Sequence, residues 1–430
     1  MNFKKSIKTG LLAFSAVGLT SVSFGQISTG NLTGESGQQI NTITTAVPFL
    51  LIAPDSRSSA MGDAGVALSP DANATHWNAA KLSFIDDKDD FGVSVSYSPW
   101  LRQLVNDINL AYLSGYKKID RNSAIGVSMR YFSLGNITFT DITGNTIRDF
   151  KPNEFAFDVA YSRKLSEKFG TAVALRYINS NLTGGISTTG GQTQAGRSVA
   201  ADVSLFYEGD EFEMGEIPAN LNFGLNVSNI GAKMAYTDNA DKDFIPTNLR
   251  IGGALNMDID EYNKLTFAVD ANKLLVPTQP IYQLEGGQVV TDGDGNPIIF
   301  SGKDPNVGTA AGMFQSFIDA PGVVIYEGDS TSASVQSGSK FKEELNEINL
   351  SVGAEYWYSD IFAVRAGYFH EHWSKGNRRF ISLGAGVKYQ ALQLDLSYLL
   401  SLTQNSPIAN TVRFTLKFAF GKTSESAGEG

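Results

Sequence analysis

The 430-residue chain contains no cysteine. That excludes disulfides, thiolate metal sites, cysteine nucleophiles and a lipid anchor on an N-terminal cysteine. Histidine is scarce too, with only His76, His370 and His372 in the whole sequence. No Ser-His-Asp or nucleophile-elbow pattern stands in a strand-turn-helix context, so neither an enzyme nor a cofactor is expected. Basic residues number 34 against 44 acidic ones, a net charge of −10. No basic stripe exists to neutralise phosphates, and nucleic acid is excluded as a partner. Beyond residue 24 no apolar stretch approaches the roughly 18–20 residues that a membrane-spanning helix needs.

What is present begins with an export signal. Lys4, Lys5 and Lys8 precede an apolar run from Leu11 to Phe24, and Ser23-Phe24-Gly25 places small residues at both recognition positions of a signal peptidase. Residues 1–25 read as a signal peptide, with the mature chain starting at Gln26. Residues 26–53, polar and Gly/Thr-rich for most of their length, read as a periplasmic lead. Residues 54–84 are rich in small side chains without a strand's alternation, which suits a compact plug packed inside a narrow lumen. Asp55, Arg57, Asp63 and Asp71 are its candidate partners for polar wall groups.

From Phe91 onward, period-2 alternation dominates. Phe91, Val93, Val95 and Tyr97 alternate with Gly and Ser. Leu392, Leu394, Leu396, Tyr398 and Leu400 alternate with Gln393, Asp395, Ser397 and Leu399. Val412, Phe414, Leu416, Phe418 and Phe420 alternate with Arg413, Thr415, Lys417 and Ala419. About fourteen such segments, from 91–98 to 410–420, mostly run roughly 10–12 residues, the length of a tilted membrane strand. Tight turns (118–121, 359–360, 390) alternate with longer polar loops. Tyr97, Trp100, Tyr116, Tyr131, Tyr161, Tyr177, Trp357, Tyr368, Tyr389 and Tyr398 fall near segment ends, as interfacial girdles do. The fold class is all-β: a transmembrane antiparallel barrel over 91–420, in the outer membrane of a Gram-negative bacterium. Phe420 closes the last strand and a polar tail, 421–430, follows. Asp158, Arg176, Asp202, Asp270, Glu355, Arg365 and Asp395 fall on the lumen faces as wall partners for the plug.

The segment PDSRSSAMGDAGVALSPDANATHWNAAKLSF resembles the hatch of the FadL-like barrels. SPWLRQLVNDINLAYLSGY and GNRRFISLGAGVKY, taken with it, are similar to the outer-membrane shuttle family of the type IX secretion system, over about residues 40–420. The resemblance implies hatch roles for Trp77 and Asn78. Asn78-Ala79-Ala80 stands where the family usually has Asn-Pro-Ala, which leaves that turn less rigid. It implies no chemistry, but capture of cargo proteins bearing C-terminal secretion domains from a translocon pore protein, and delivery to a surface attachment complex with a sortase-like subunit. A FadL-like transporter of hydrophobic small molecules is the alternative.

Three local features complete the reading. His370 and His372 have a two-residue spacing but no evident third ligand. Asp292-Gly293-Asp294-Gly295-Asn296 begins like a calcium loop, yet Pro297 and Lys303 stand where Gly and Glu belong, so a turn is expected. The insertion from Leu275 to Phe341 is far longer than an inert connection, and Met313, Phe314, Phe317 and Ile318 recur in it at helical spacing. With Trp100 and Leu101 in the loop 99–106 and Trp373 in the loop 372–377, these are the candidate partner-binding residues.

Overall fold

The computed structural model describes residues 40–421 except 87–88, 102–106, 141–142, 186, 189–190, 238–241, 286–287, 328–331 and 405. The signal peptide, the lead up to residue 39, residues 102–106 of the first long loop and the tail from 422 lie outside the described residues.

Fourteen strands form one closed antiparallel barrel in sequence order. They are β1 (Phe91–Pro99), β2 (Ile108–Lys118), β3 (Ser123–Leu134), β4 (Asn153–Lys164), β5 (Phe169–Asn181), β6 (Gly196–Met214), β7 (Ile217–Gly231), β8 (Asn248–Asp258), β9 (Asn263–Leu274), β10 (Ile348–Tyr358), β11 (Phe362–His370), β12 (Arg379–Tyr389), β13 (Leu392–Ser401) and β14 (Thr411–Phe420). β14 pairs with β1 from Phe91↔Phe420 to Tyr97↔Phe414, so no edge remains unpaired. All fourteen coincide with the alternating segments. β6 and β7 run past the neighbouring strands: β5 ends its pairing at Phe169↔Tyr207, and residues 211–214 pair only with β7.

Alternation sorts the faces as the sequence predicts. In β13, Leu394 and Leu396 are exposed on the outside while Asp395 is fully buried inside. Three girdle candidates turn inward instead. Tyr116 is buried beside Leu82 and Ala124, Trp357 lies under the Arg365 guanidinium at 5.4 Å, and Trp100 lies under that of Arg413 at 5.4 Å. For Tyr116 the sequence misleads because β2 reverses the usual contrast, turning Ile108, Leu110 and Tyr112 inward with it while Asn109 and Lys117 share the outward face with Leu113.

The two barrel ends differ. Tight turns join strands at one end, and the connections 100–107, 135–152, 182–195, 232–247, 275–347, 371–378 and 402–410 lie at the other. The insertion carries short hairpins and two helices, Thr309–Gln315 and Ser339–Asn346.

The residues before β1 line up along the inside. Asn41 donates its backbone N–H to Ser374 O (3.0 Å) and Ala46 donates to Phe244 O (2.9 Å), both in long loops. A 3-10 turn (Pro48–Leu51), a short helix (Ser56–Ala60), a second (Ala74–Trp77) and a 3-10 stretch (Ala79–Phe84) follow. At the far end Lys118 Nζ donates to Ile85 O (2.6 Å), beside a short turn. The described part of the lead, 40–53, therefore sits at the long-loop end, opposite to the periplasmic placement expected. The reason is geometric: β1 starts at the short-turn end, and the segment before it is long enough to have crossed the lumen once.

Candidate functional site in the lumen and at the long-loop face

Asp55 caps the helix Ser56–Ala60, its Oδ2 accepting from Ser58 N (3.0 Å), while its Oδ1 accepts from Trp77 Nε1 (2.6 Å). That fixes two distant parts of the inner segment to one carboxylate. The capped helix presents Arg57, which grips Glu355 of β10 through two bonds, Nε to Oε2 at 3.0 Å and Nη2 to Oε1 at 2.7 Å. Arg365 shares Glu355 (2.5 Å) and reaches Asp395 (2.8 Å), and Lys417 bridges Asp395 (3.1 Å) to Asp71 (3.2 Å). Buried ions need this density of partners, since each one alone costs several kcal/mol in a low dielectric.

Other wall groups hold the backbone of the segment. Asp270 Oδ2 accepts from Gly65 N (2.7 Å) and Val66 N (2.9 Å), and Asn78 Nδ2 donates to Val66 O (3.0 Å) and Leu205 O (2.9 Å). Arg130 donates to Leu50 O at 2.6 Å. Where the backbones come closest, both sides are glycine: a Cβ on Gly367 would lie 2.0 Å from Gly62 N, and Gly62 has φ +70°.

Of the expected wall partners, Asp270, Glu355, Arg365 and Asp395 join this network. Asp158, Arg176 and Asp202 do not. They are neighbours on β4, β5 and β6, and they satisfy one another, Arg176 pairing with Asp158 and with Asp202 (3.0 Å). Asp63 also departs from expectation, because its Oδ1 finds no partner among the described residues. Sequence reasoning missed Lys417, Arg130 and Lys81, whose Nζ donates to Gly65 O at 2.6 Å. Their signal was available in part: Lys417 alternates with lipid-type residues in β14, so it had to point inward and find an anion.

At the long-loop face, the insertion is tied down by ions. Lys273 contacts Glu347 (2.6 Å) and Glu344 (3.2 Å), and Lys375 contacts Glu343 (2.6 Å) and Glu347 (3.0 Å). Burial raises the Glu347 carboxyl, but the two lysines outweigh it and hold it below its ordinary range. Asp319 is treated oppositely: burial, helped by Glu347 and Glu344, pushes it up to about 7 despite a bond from Thr278 N (3.1 Å). Its folded form holds a proton that the unfolded form releases near pH 4, so its contribution to stability is complete below about pH 4 and lost as pH rises through 7. Limited proteolysis of the insertion should therefore speed up between about pH 4 and 7 in the wild type. Asp319→Asn should flatten that rise; an unchanged rise would place its cause elsewhere.

The anchored insertion leaves apolar side chains outside. Phe314 is 78% exposed and Ile318 67%, with Phe317 also exposed and Met313 half-buried. Phe341 and Leu345, on the other helix, are exposed as well. Trp100 and Leu101, expected at an exposed loop tip, are half-buried against the cluster of Phe49, Leu50 and Phe132. The hairpin continues through Trp100 N to Ile108 O (2.9 Å), and Leu101 takes φ +50°, where the chain bends. Trp373 is half-buried beside His372. His370 ends β11, whereas His372 lies in the loop and bonds Ser374 (2.9 Å). Among the described residues no group of three or more metal-ligating side chains occurs. Asp292 Oδ1 accepts from Asp294 N and Asn296 N, both 2.9 Å, which makes that stretch a turn.

A family model described as "Type IX secretion system protein PorV" matches residues 35–281. No curated protein sequence matches the chain. Among solved structures, the Pseudomonas putida toluene transporter TodX is similar over 85% of this chain and 98% of its own, with 13% identity and a TM-score of 0.45. The Ralstonia pickettii toluene transporter TbuX is similar over 85% and 98%, with 9% identity and a TM-score of 0.42. A Pseudomonas aeruginosa FadL homologue is similar over 89% and 99%, with 13% identity and a TM-score of 0.38.

Proposed function

Since the chain belongs to the PorV family of type IX secretion system proteins, matched over more than half its length, and is thereby an outer-membrane component of that system, we propose that it is a carrier of cargo. In this reading it binds the C-terminal domains of secreted proteins at the translocon pore and carries them to the surface attachment complex. The segment 54–84 acts as a plug, with Asp55, Arg57, Trp77 and Asn78 holding it. A lumen so occupied passes no folded protein, so cargo is handled on the long-loop face, which is extracellular in barrels of this kind.

The observation that carries the reading is the exposed Phe314 and Ile318 on an insertion clamped to the rim. Large apolar side chains held out on a fixed support are the anatomy of a docking surface. Both are exposed, so replacing them leaves packing intact. Phe314→Ser with Ile318→Ser should lower affinity for a purified cargo C-terminal domain about 30- to 1,000-fold, given ~1–2 kcal/mol per anchor, and should reduce secretion in cells. If the doubly substituted protein binds and secretes as the wild type does, while labelled fatty acid enters the wild-type lumen, the carrier reading gives way to a transporter of hydrophobic small molecules.

A further inference from the structure

At the long-loop end, the inner segment, the loop 371–378 and the ends of β9, β10, β12, β13 and β14 line a cavity of about 390 Å³. This lies in the roughly 300–1,000 Å³ range of sites for small ligands or chain ends. Its apolar wall includes Ile52, Phe380 and Leu399. Two of its charged residues are unusual. Arg413 is only 2% exposed, and among the described residues its side chain makes no hydrogen bond or ion pair; its Nε is buried without a partner. Asp63, on the same cavity, leaves Oδ1 unpartnered. The other rim charges are satisfied, Arg378 by Glu371 at 2.7 Å and Lys375 by Glu347 at 3.0 Å.

A buried guanidinium without an acceptor costs several kcal/mol, so an anion is the natural complement. The Arg413 guanidinium sits over the Trp100 ring at 5.4 Å, a contact that takes up none of its N–H donors, which a carboxylate would accept. Asp63 adds a second requirement. A simple anion would be repelled by it, whereas a ligand carrying N–H donors next to its carboxylate would satisfy both groups. The lining stretch 42–45 adds a third: between the bonds made by Asn41 and Ala46 it belongs to no helix or strand, and its backbone makes no backbone hydrogen bond among the described residues. Its backbone N–H and C=O groups are open to an incoming chain.

We propose that this cavity receives the C-terminal end of a polypeptide, its terminal carboxylate on Arg413, its last N–H groups toward Asp63 and its last side chains against Phe380 and Leu399. This rests on the cargo-carrier reading and names the part of the cargo that is gripped. An alkyl carboxylate would satisfy Arg413 but offers nothing to Asp63 or to the backbone of 42–45.

The test uses the full chain in detergent and a purified cargo C-terminal domain prepared with a free terminal carboxylate or as its C-terminal amide. On the wild type, the amide should bind about 10- to 100-fold more weakly than the acid. Arg413→Gln, checked for folding by heat-modifiable mobility, should weaken the acid by a similar factor and leave the amide almost unchanged. Because amidation alters only the ligand, the first comparison is free of any folding defect. Equal binding of acid and amide to the wild type overturns the inference while leaving the cargo reading intact. Binding of neither form overturns both. Arg413-dependent binding of tetradecanoate that leaves cargo affinity unchanged assigns the cavity to a small amphiphile and also overturns it.

Discussion

Arg57→Ala is expected to open the lumen: single-channel conductance in planar bilayers should rise, and residues 54–80 should become susceptible to protease. The substitution removes two bonds to Glu355 and the bonds to Ser69 O (3.1 Å) and Ser69 Oγ (2.7 Å). Breaking a buried ion pair from one side costs about 3–5 kcal/mol because the remaining charge is stranded. Glu355 keeps Arg365, so the lower end, about 3 kcal/mol, applies here. That loss falls on the inner segment, since the barrel's own hydrogen bonds are untouched, and its consequence is local opening rather than global unfolding. Unchanged conductance together with unchanged protease resistance would remove the plug assignment.

Leu394→Arg and Leu396→Arg should each reduce the yield of assembled barrel in the membrane, whereas Gln393→Arg should be tolerated. Both leucines point outward, at 44% and 38% exposure. An arginine on the lipid face costs about 2–4 kcal/mol near the midplane and falls toward zero at the interfaces. Gln393 is different: its amide donates to both oxygens of Asp395, at 3.0 and 2.9 Å, so an arginine there meets a carboxylate instead of hydrocarbon. Membrane yield and heat-modifiable mobility report the outcome. Equal yields for the three variants would refute the inward and outward parity of β13.

The barrel was legible in the sequence because lipid on one side and a wet lumen on the other impose a contrast at every second residue. β13 and β14 show it at its sharpest. Legibility failed where the contrast fails: β2 turns Ile108, Leu110 and Tyr112 inward and Asn109 and Lys117 outward, so Tyr116 was misplaced, and Trp100 and Trp357 reach the interior under arginines that their neighbours in sequence do not announce. In the lumen, the residue types were readable but the pairings were not. Arg57 needed an anion, yet nothing local distinguishes Glu355 from Asp158, because the choice depends on strands far apart in sequence. Asp158 was taken instead by Arg176, its direct cross-strand neighbour. The placement of residues 40–47 could not be read either, since a polar stretch suits either side of a membrane. The two glycines facing each other at 62 and 367 also carry no sequence signature of their contact.

The inner segment enters at the long-loop rim, crosses the lumen and leaves at the short-turn rim beside β1, like a thread through a bead. The bead is sealed by the β1–β14 seam, from Phe91↔Phe420 to Tyr97↔Phe414. Once that seam is zipped, the only entrances are the two mouths, and at Gly62 and Gly367 the seated thread lies so close to the wall that not even one extra methyl group fits between them. Two routes lead to this arrangement: the thread is laid along the open sheet and the seam closed around it, or its leading end passes through a mouth of the finished ring. A cross-link between cysteines introduced on β1 and β14 before assembly separates them, since only the second route still seats the thread.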